Sequence, residues 1–137
     1  MYLRWSLKTR KNKSEGKEMK VLNEYPSGHI VTVDNLSKQY GAPNLYTIHI
    51  PIPHGKIINS TIDINFQNGP IKEVGVNGIN EDMLFDILID RYENFLKCST
   101  PSIENSHILR HLRMAKSYSE DRTQNRELRG VEGTSKI

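Results

Sequence analysis

Hydrophobic positions alternate with polar ones through the front half of the chain and follow helical spacing through the rear half. Tyr46, Ile48 and Ile50 alternate with Thr47 and His49, which predicts a half-buried strand over 45–50. Val31 and Val33 around Thr32 predict a short edge strand. Pro51 and Pro53 end the 45–50 strand, and His54-Gly55 reads as a turn. Ile58, Ile62, Ile64 and Phe66 occupy even positions, so 57–66 reads as a further strand with one polar slot at Ser60. Asn68-Gly69-Pro70 marks another turn, after which Ile71, Val74 and Val76 predict a last short strand. The expectation for 29–78 is a small antiparallel sheet or meander.

From residue 80 onward the period changes. Asn80 suits an N-cap, and Glu81 and Asp82 suit the positive end of a helix. Met83, Leu84, Ile87, Leu88, Arg91 and Phe95 keep helical spacing to about residue 96. Ile89, Tyr92 and Leu96 add a second apolar stripe, so this helix asks for a neighbour on two flanks. Thr100 followed by Pro101 predicts the cap and first position of a second helix. Ile108, Leu109, Leu112, Ala115 and Tyr118 carry it forward to about Leu128. The pair reads as an antiparallel helical hairpin over 80–128, with 129–137 as a C-terminal tail. The fold class expected is therefore α+β, a small N-terminal antiparallel sheet followed by a C-terminal helical hairpin.

Charge changes the picture at the N-terminus. The 137 residues carry a formal net charge of +3. Residues 1–18 hold six Lys or Arg against two acids, a net of +4, which leaves thirteen basic and fourteen acidic residues, a net of −1, for 19–137. The reading is a disordered basic leader over 1–18 and a single domain over 19–137, with Met19 as a candidate start of the folded part. A nucleic-acid arm is the alternative for the leader, although its one Trp, Trp5, does not make a repeated aromatic–basic stacking platform. The leader lacks the apolar run of a signal peptide, and nowhere do about 20 apolar residues follow one another as in a membrane span. One cysteine, Cys98, rules out an internal disulfide framework and a multi-cysteine zinc site.

Candidate chemistry is sparse on the catalytic side. Cys98 has no His near it in sequence and reads as a small packed thiol. His107 and His111 have i, i+4 spacing, but Ile108 stands where a zincin carries Glu. His49 and His54 show no third ligand, and Asp86 and Asp90 read as a solvated helix face. Gly75-Val76-Asn77-Gly78 precedes a helix without the spacing of a dinucleotide loop. The expectation is no enzyme, no metal and no cofactor. Binding groups are better represented. Arg122, Arg126 and Arg129 share one face of a continuing helix and offer forked donors to phosphate, or else form a solvated face balanced by Glu120, Asp121 and Glu127. Phe95 could stack a base or pack in the core, and Asn105 could read a purine edge or simply be solvated.

Longer motifs add a family. FQNGPIKEVGVNG (66–78), NEDMLFDILIDRYENF (80–95), Cys98, Glu104-Asn105 and RTQNRELRGVEGT (122–134) resemble corresponding segments of phage Thoeris anti-defence protein one. The resemblance covers 64–137 well and the first sixty residues poorly. It implies a phage sponge that holds cyclic ADP-ribose isomers such as gcADPR, made by bacterial Thoeris TIR proteins, without cleaving them. It also implies homo-oligomers, dimer or hexamer, with pockets where subunits meet, and a second kind of site in some members for the cyclic oligonucleotides of CBASS immunity. By resemblance Phe95 takes the place of the aromatic that stacks adenine, Asn105 that of a polar contact, and Arg122 and Arg126 those of paired phosphate-holding arginines. Arg129 and Thr134 lie in the matching tail with no assigned role, and His107 and Arg110 are geometric candidates for the same pocket. Lys56 and Lys72 are candidates for an extra phosphate contact. The implied location is the cytoplasm of the infected host, with no membrane or nucleic-acid partner.

Two departures stand out. The loop CSTPSIEN is longer than the family's compact loop, and the helix segment HILRHLRMAKSY is more basic than the usual acidic version. Two rivals to the sponge remain, an enzyme that degrades cyclic nucleotides and a small nucleic-acid-binding module that uses the basic leader.

Overall fold

Period-two alternation is satisfied by strands that each pair with the next in sequence. A computed structural model describes residues 9–11, 18–34, 40–52, 60–98 and 101–137. Its strands are β1 (Thr9–Lys11), β2 (Glu18–Glu24), β3 (Ile30–Asp34), β4 (Leu45–Ile50) and β5 (Ser60–Asn65). They form one antiparallel sheet in the order β1-β2-β3-β4-β5, a meander as expected. The register sets Val31 opposite Ile48 and Ile48 opposite Ile62, with Val33 opposite Tyr46 and Tyr46 opposite Ile64. Period two therefore gathers these apolar side chains on one face. Val33 is the most buried of them, at 3% exposure. Tyr46 meets Phe66 edge to face at 5.6 Å, and Phe66 extends the ladder by donating its N–H to the Asn44 carbonyl at 2.7 Å. On the opposite face Thr47 donates to Asp63 at 2.8 Å, and Thr32 lies 3.1 Å from the His49 ring.

The β2–β3 hairpin turns through Pro26-Ser27-Gly28, where Gly28 has φ +88°. A Cβ there would lie 3.1 Å from the Pro51 side chain, so both conformation and space favour glycine. Within β2 the register slips between Val21 and Asn23, which leaves Leu22 as the extra residue of a bulge.

The helices are α1 (Ile71–Val74), α2 (Glu81–Lys97) and α3 (Ile103–Leu128). Asn80 caps α2 by accepting from the Met83 N–H at 3.4 Å, as its residue type predicts. Ion pairs fix the direction of the hairpin. Glu93 pairs with Arg113, Asp86 with Lys116 and Glu81 with Arg122, so partners move back along α2 as α3 advances. The helices are antiparallel. Leu109 is the buried apolar centre of this part, at 5% exposure.

The chain divides into two compact units, 1–69 and 70–137. Thr9–Lys11 is strand and Glu18 opens β2. Strand pairing needs only backbone N–H and C=O groups, which a basic, non-alternating segment supplies as well as an apolar one. The other leader residues, Trp5 included, lie outside the described residues. Val31–Val33 sits in the central strand rather than at an edge, because β1 and β2 add upstream of it. Ile71–Val74 is a helical turn instead of a strand. The Pro70 carbonyl accepts from the N–H groups of Glu73 and Val74, and Gly75 at φ +78° ends the turn. Ser102, not Thr100, caps α3 by accepting from the Asn105 N–H at 3.1 Å. Positions 57–59, His54, Lys56 and Thr100 lie outside the described residues.

Candidate functional site

The four candidate ligand residues fall on the two helices of the hairpin. Phe95 lies in the last turn of α2 and Asn105 in the first turn of α3, so both stand at the loop end. Phe95 is half-buried, with Tyr92 edge-on at 5.5 Å and the Arg91 guanidinium 4.8 Å from its ring centre. That cation draws on the ring's negative face. Asn105 is half-buried too, its backbone N–H held by the Ser102 hydroxyl.

Arg122 and Arg126 stand near the opposite end of α3, one turn apart on one face. Arg122 lies seventeen residues beyond Asn105, about 25 Å at 1.5 Å per residue. The structure thus brings Phe95 to the same end as Asn105, and Arg122 beside Arg126, but keeps the two pairs apart within one chain. Arg122 has a side chain 62% exposed and pairs with Glu81, while the Ser119 hydroxyl lies 3.5 Å away. The hydrogen bond from Arg122 holds the Glu81 carboxyl below its ordinary range, and Glu81 in turn raises Arg122.

Arg126 is more enclosed, with a side chain 27% exposed. Its Nε donates to Glu132 at 3.0 Å, and its Nη2 donates to the carbonyls of Val131 at 3.0 Å and Thr134 at 2.8 Å. This guanidinium clamps the C-terminal tail. The tail is held at further points. Lys72 N–H donates to the Gly133 carbonyl at 2.8 Å, and Glu73 accepts from both the N–H and the hydroxyl of Ser135 at 2.8 Å. Those two bonds to Ser135 hold the Glu73 carboxyl below its ordinary value of 4.5. Gly130 and Gly133, at φ +68° and +74°, give the tail its path. A Cβ on Gly133 would lie 3.0 Å from the Lys72 side chain. Sequence reasoning saw a helix end in RGVEGT and missed the clamp; two glycines spaced around Val131 and Glu132 were the available signal.

The remaining candidates are dispersed. Arg129 donates to the Asn125 carbonyl at 3.3 Å. His107 and His111 are exposed, and among the described residues no group of three His, Cys, Asp or Glu is placed to hold a metal. Arg110 lines a groove with Arg113 rather than standing beside Arg122. Cys98, expected to be packed, is exposed, its thiol directed at the Phe95 carbonyl at the end of α2. The C-cap position puts it outside both helix faces. Asp86 and Asp90 are exposed on their helix face, and Asp86 pairs there with Lys116.

No helix of the described residues is long and apolar enough to cross a membrane. An antiparallel sheet with a two-helix unit defines a small α+β protein. No family model matches the chain. A curated protein of Bacillus phage SBSphiJ7, Thoeris anti-defense 1, is 38% identical to it over 71 residues, 52% of this chain and 50% of that protein. The chain spans about half the length of this curated relative. The identity supports the Thoeris anti-defence protein one family, the resemblance read from the motifs.

Proposed function

We propose that this chain is a phage anti-defence protein that captures cyclic ADP-ribose isomers of Thoeris signalling and holds them uncleaved. The observation that carries the reading is its identity with a protein named for Thoeris anti-defence. The inventory of the hairpin fits such a ligand. Phe95 supplies a stacking face for adenine, Asn105 a polar contact, Arg122 a forked donor for phosphate, and Arg126 a cation beside it whose Nη1 is not used by the tail clamp. Stacking is worth ~1–3 kcal/mol per base and a charge-assisted hydrogen bond ~1.5–3 kcal/mol. One stack, two arginines and several neutral contacts reach roughly −12 kcal/mol, about nanomolar, in a preorganised pocket.

One ligand of that size cannot span the ~25 Å between the two pairs in a single hairpin. The pocket therefore combines Phe95 and Asn105 of one copy with Arg122 and Arg126 of another. The exposed flank of α2 supports self-association, since Met83 and Ile87 are 49% and 64% exposed.

The test incubates the protein with the cyclic product of a Thoeris TIR protein, then heats and chromatographs it. Depletion followed by return of intact ligand is expected. Altered ligand would show an enzyme, and no depletion would remove the reading. The shared pocket is tested by mixing two inactive variants, F95A and R126A. In a mixed pair one pocket receives Phe95 and Arg126 from different chains, so capture returns. A pocket built within one chain gives no recovery.

A further inference from the structure

Ser106, Arg110, Arg113 and Ser117 follow one another on α3 at i, i+4, i+7 and i+11, a single stripe along the helix. With Leu96 of α2 and with Leu109 and Met114 of α3 they line a groove of about 520 Å³. None of these seven lining residues is acidic. Arg122 lies five residues beyond Ser117, about 140° around the helix, so the groove is on a different flank from the Arg122–Arg126 face. We propose that this groove, on a flank apart from the arginine pair, is a binding site for a nucleoside diphosphate.

The chemistry of the lining selects that class. Arg113 is braced by Glu93 at 2.6 Å, which holds one guanidinium at the rim. Arg110 is exposed and, among the described residues, has no ion-pair partner. The two stand three residues apart, about 4.5 Å of axial rise, which suits adjoining phosphoryl groups. The hydroxyls of Ser106 and Ser117 add donors and acceptors at either end for phosphate or ribose. Leu96, Leu109 and Met114 give a floor for a flat base, with the Met thioether adapting to an aromatic face. A volume near 520 Å³ falls within the ~300–1,000 Å³ of small-molecule sites. The site needs no second copy of the chain and does not rest on the proposed sponge activity.

The test titrates the full chain calorimetrically with ADP, inorganic pyrophosphate and adenosine. ADP is expected to bind at least about tenfold tighter than either fragment, because each lacks one half of the contacts. R110Q should weaken ADP about tenfold, while K136Q, which removes one remote positive charge, leaves it unchanged. M114A should weaken ADP and spare pyrophosphate. Circular dichroism checks that each variant keeps its helices. The proposal is overturned if the chain takes up no ADP, if R110Q binds ADP normally, if K136Q loses as much as R110Q, or if a cyclic ADP-ribose isomer displaces ADP competitively. Uptake of polyglutamate without ADP also overturns it, by showing an acidic-peptide surface.

Discussion

At Arg126 a guanidinium that spacing offers to phosphate already serves three acceptors of its own chain. Hydrogen bonds involving a charged group contribute ~1.5–3 kcal/mol each, so R126A should release residues 131–135. Amide hydrogen exchange there is expected to accelerate at least tenfold while α2 and α3 keep their protection. In the ligand assay the same variant should lose at least tenfold in affinity; unchanged calorimetric affinity would remove Arg126 from the pocket. Glu73 offers an independent handle on the tail. Its carboxyl is depressed by the Ser135 N–H and hydroxyl, so its contribution is complete above the ordinary value of 4.5 and is lost as pH falls through the depressed value. Tail resonances near Ser135 should therefore shift as pH drops from about 5 downward, and E73Q should abolish that transition. A transition that persists in E73Q belongs to another carboxylate.

Element by element, local sequence was most legible where period and cap agree. Asn80, two acids and an unbroken 3.6 period announce α2, and the helix starts one residue later. At α3 the Thr100-Pro101 pair pointed to a cap two residues early, and the observed cap is Ser102, whose hydroxyl accepts from the Asn105 N–H. Ile71 and Val74 fit a helical turn, whereas Val74 and Val76 fit a strand; the proline before and the glycine after favour the turn. The hairpin's stability should rest on packing more than on charge. L109A, at the most buried apolar position of α3, should cost about 2–5 kcal/mol in denaturant melts. The Lys116–Asp86 pair has a carboxylate side chain 60% exposed, so solvent screens it and a double-mutant cycle should return little coupling, although Asp86 raises the Lys116 pKa. A coupling well above that would mean the pair is shielded by a partner.

For the whole chain, the α+β class and the order of sheet and hairpin were readable, because two periods dominate two halves. The division into two units and the use of leader residues as β1 were not, since backbone pairing leaves no hydrophobic signature. Arg122 and Arg126 could be paired from spacing alone. Their distance from Phe95 follows from the helix expected to run to about Leu128, which α3 does over 26 residues. Removing 1–18 tests the leader directly. It deletes β1 and exposes the β2 edge, so a chain starting at Met19 should self-associate irregularly by light scattering. Ligand capture by its hairpin should survive, whereas a nucleic-acid module using the arm would lose binding. Full solubility would show that β1 guards no edge.

The separation of Phe95 and Asn105 from Arg122 and Arg126 makes dose the controlling variable under the proposed reading. Half-sites on different molecules render capture second order in protein. Below the dissociation constant of the pair, a twofold rise in protein yields about fourfold more pockets, and ligand in turn draws chains together by mass action. Protection of an infecting phage would then switch on over a narrow range of expression rather than grow in proportion to it.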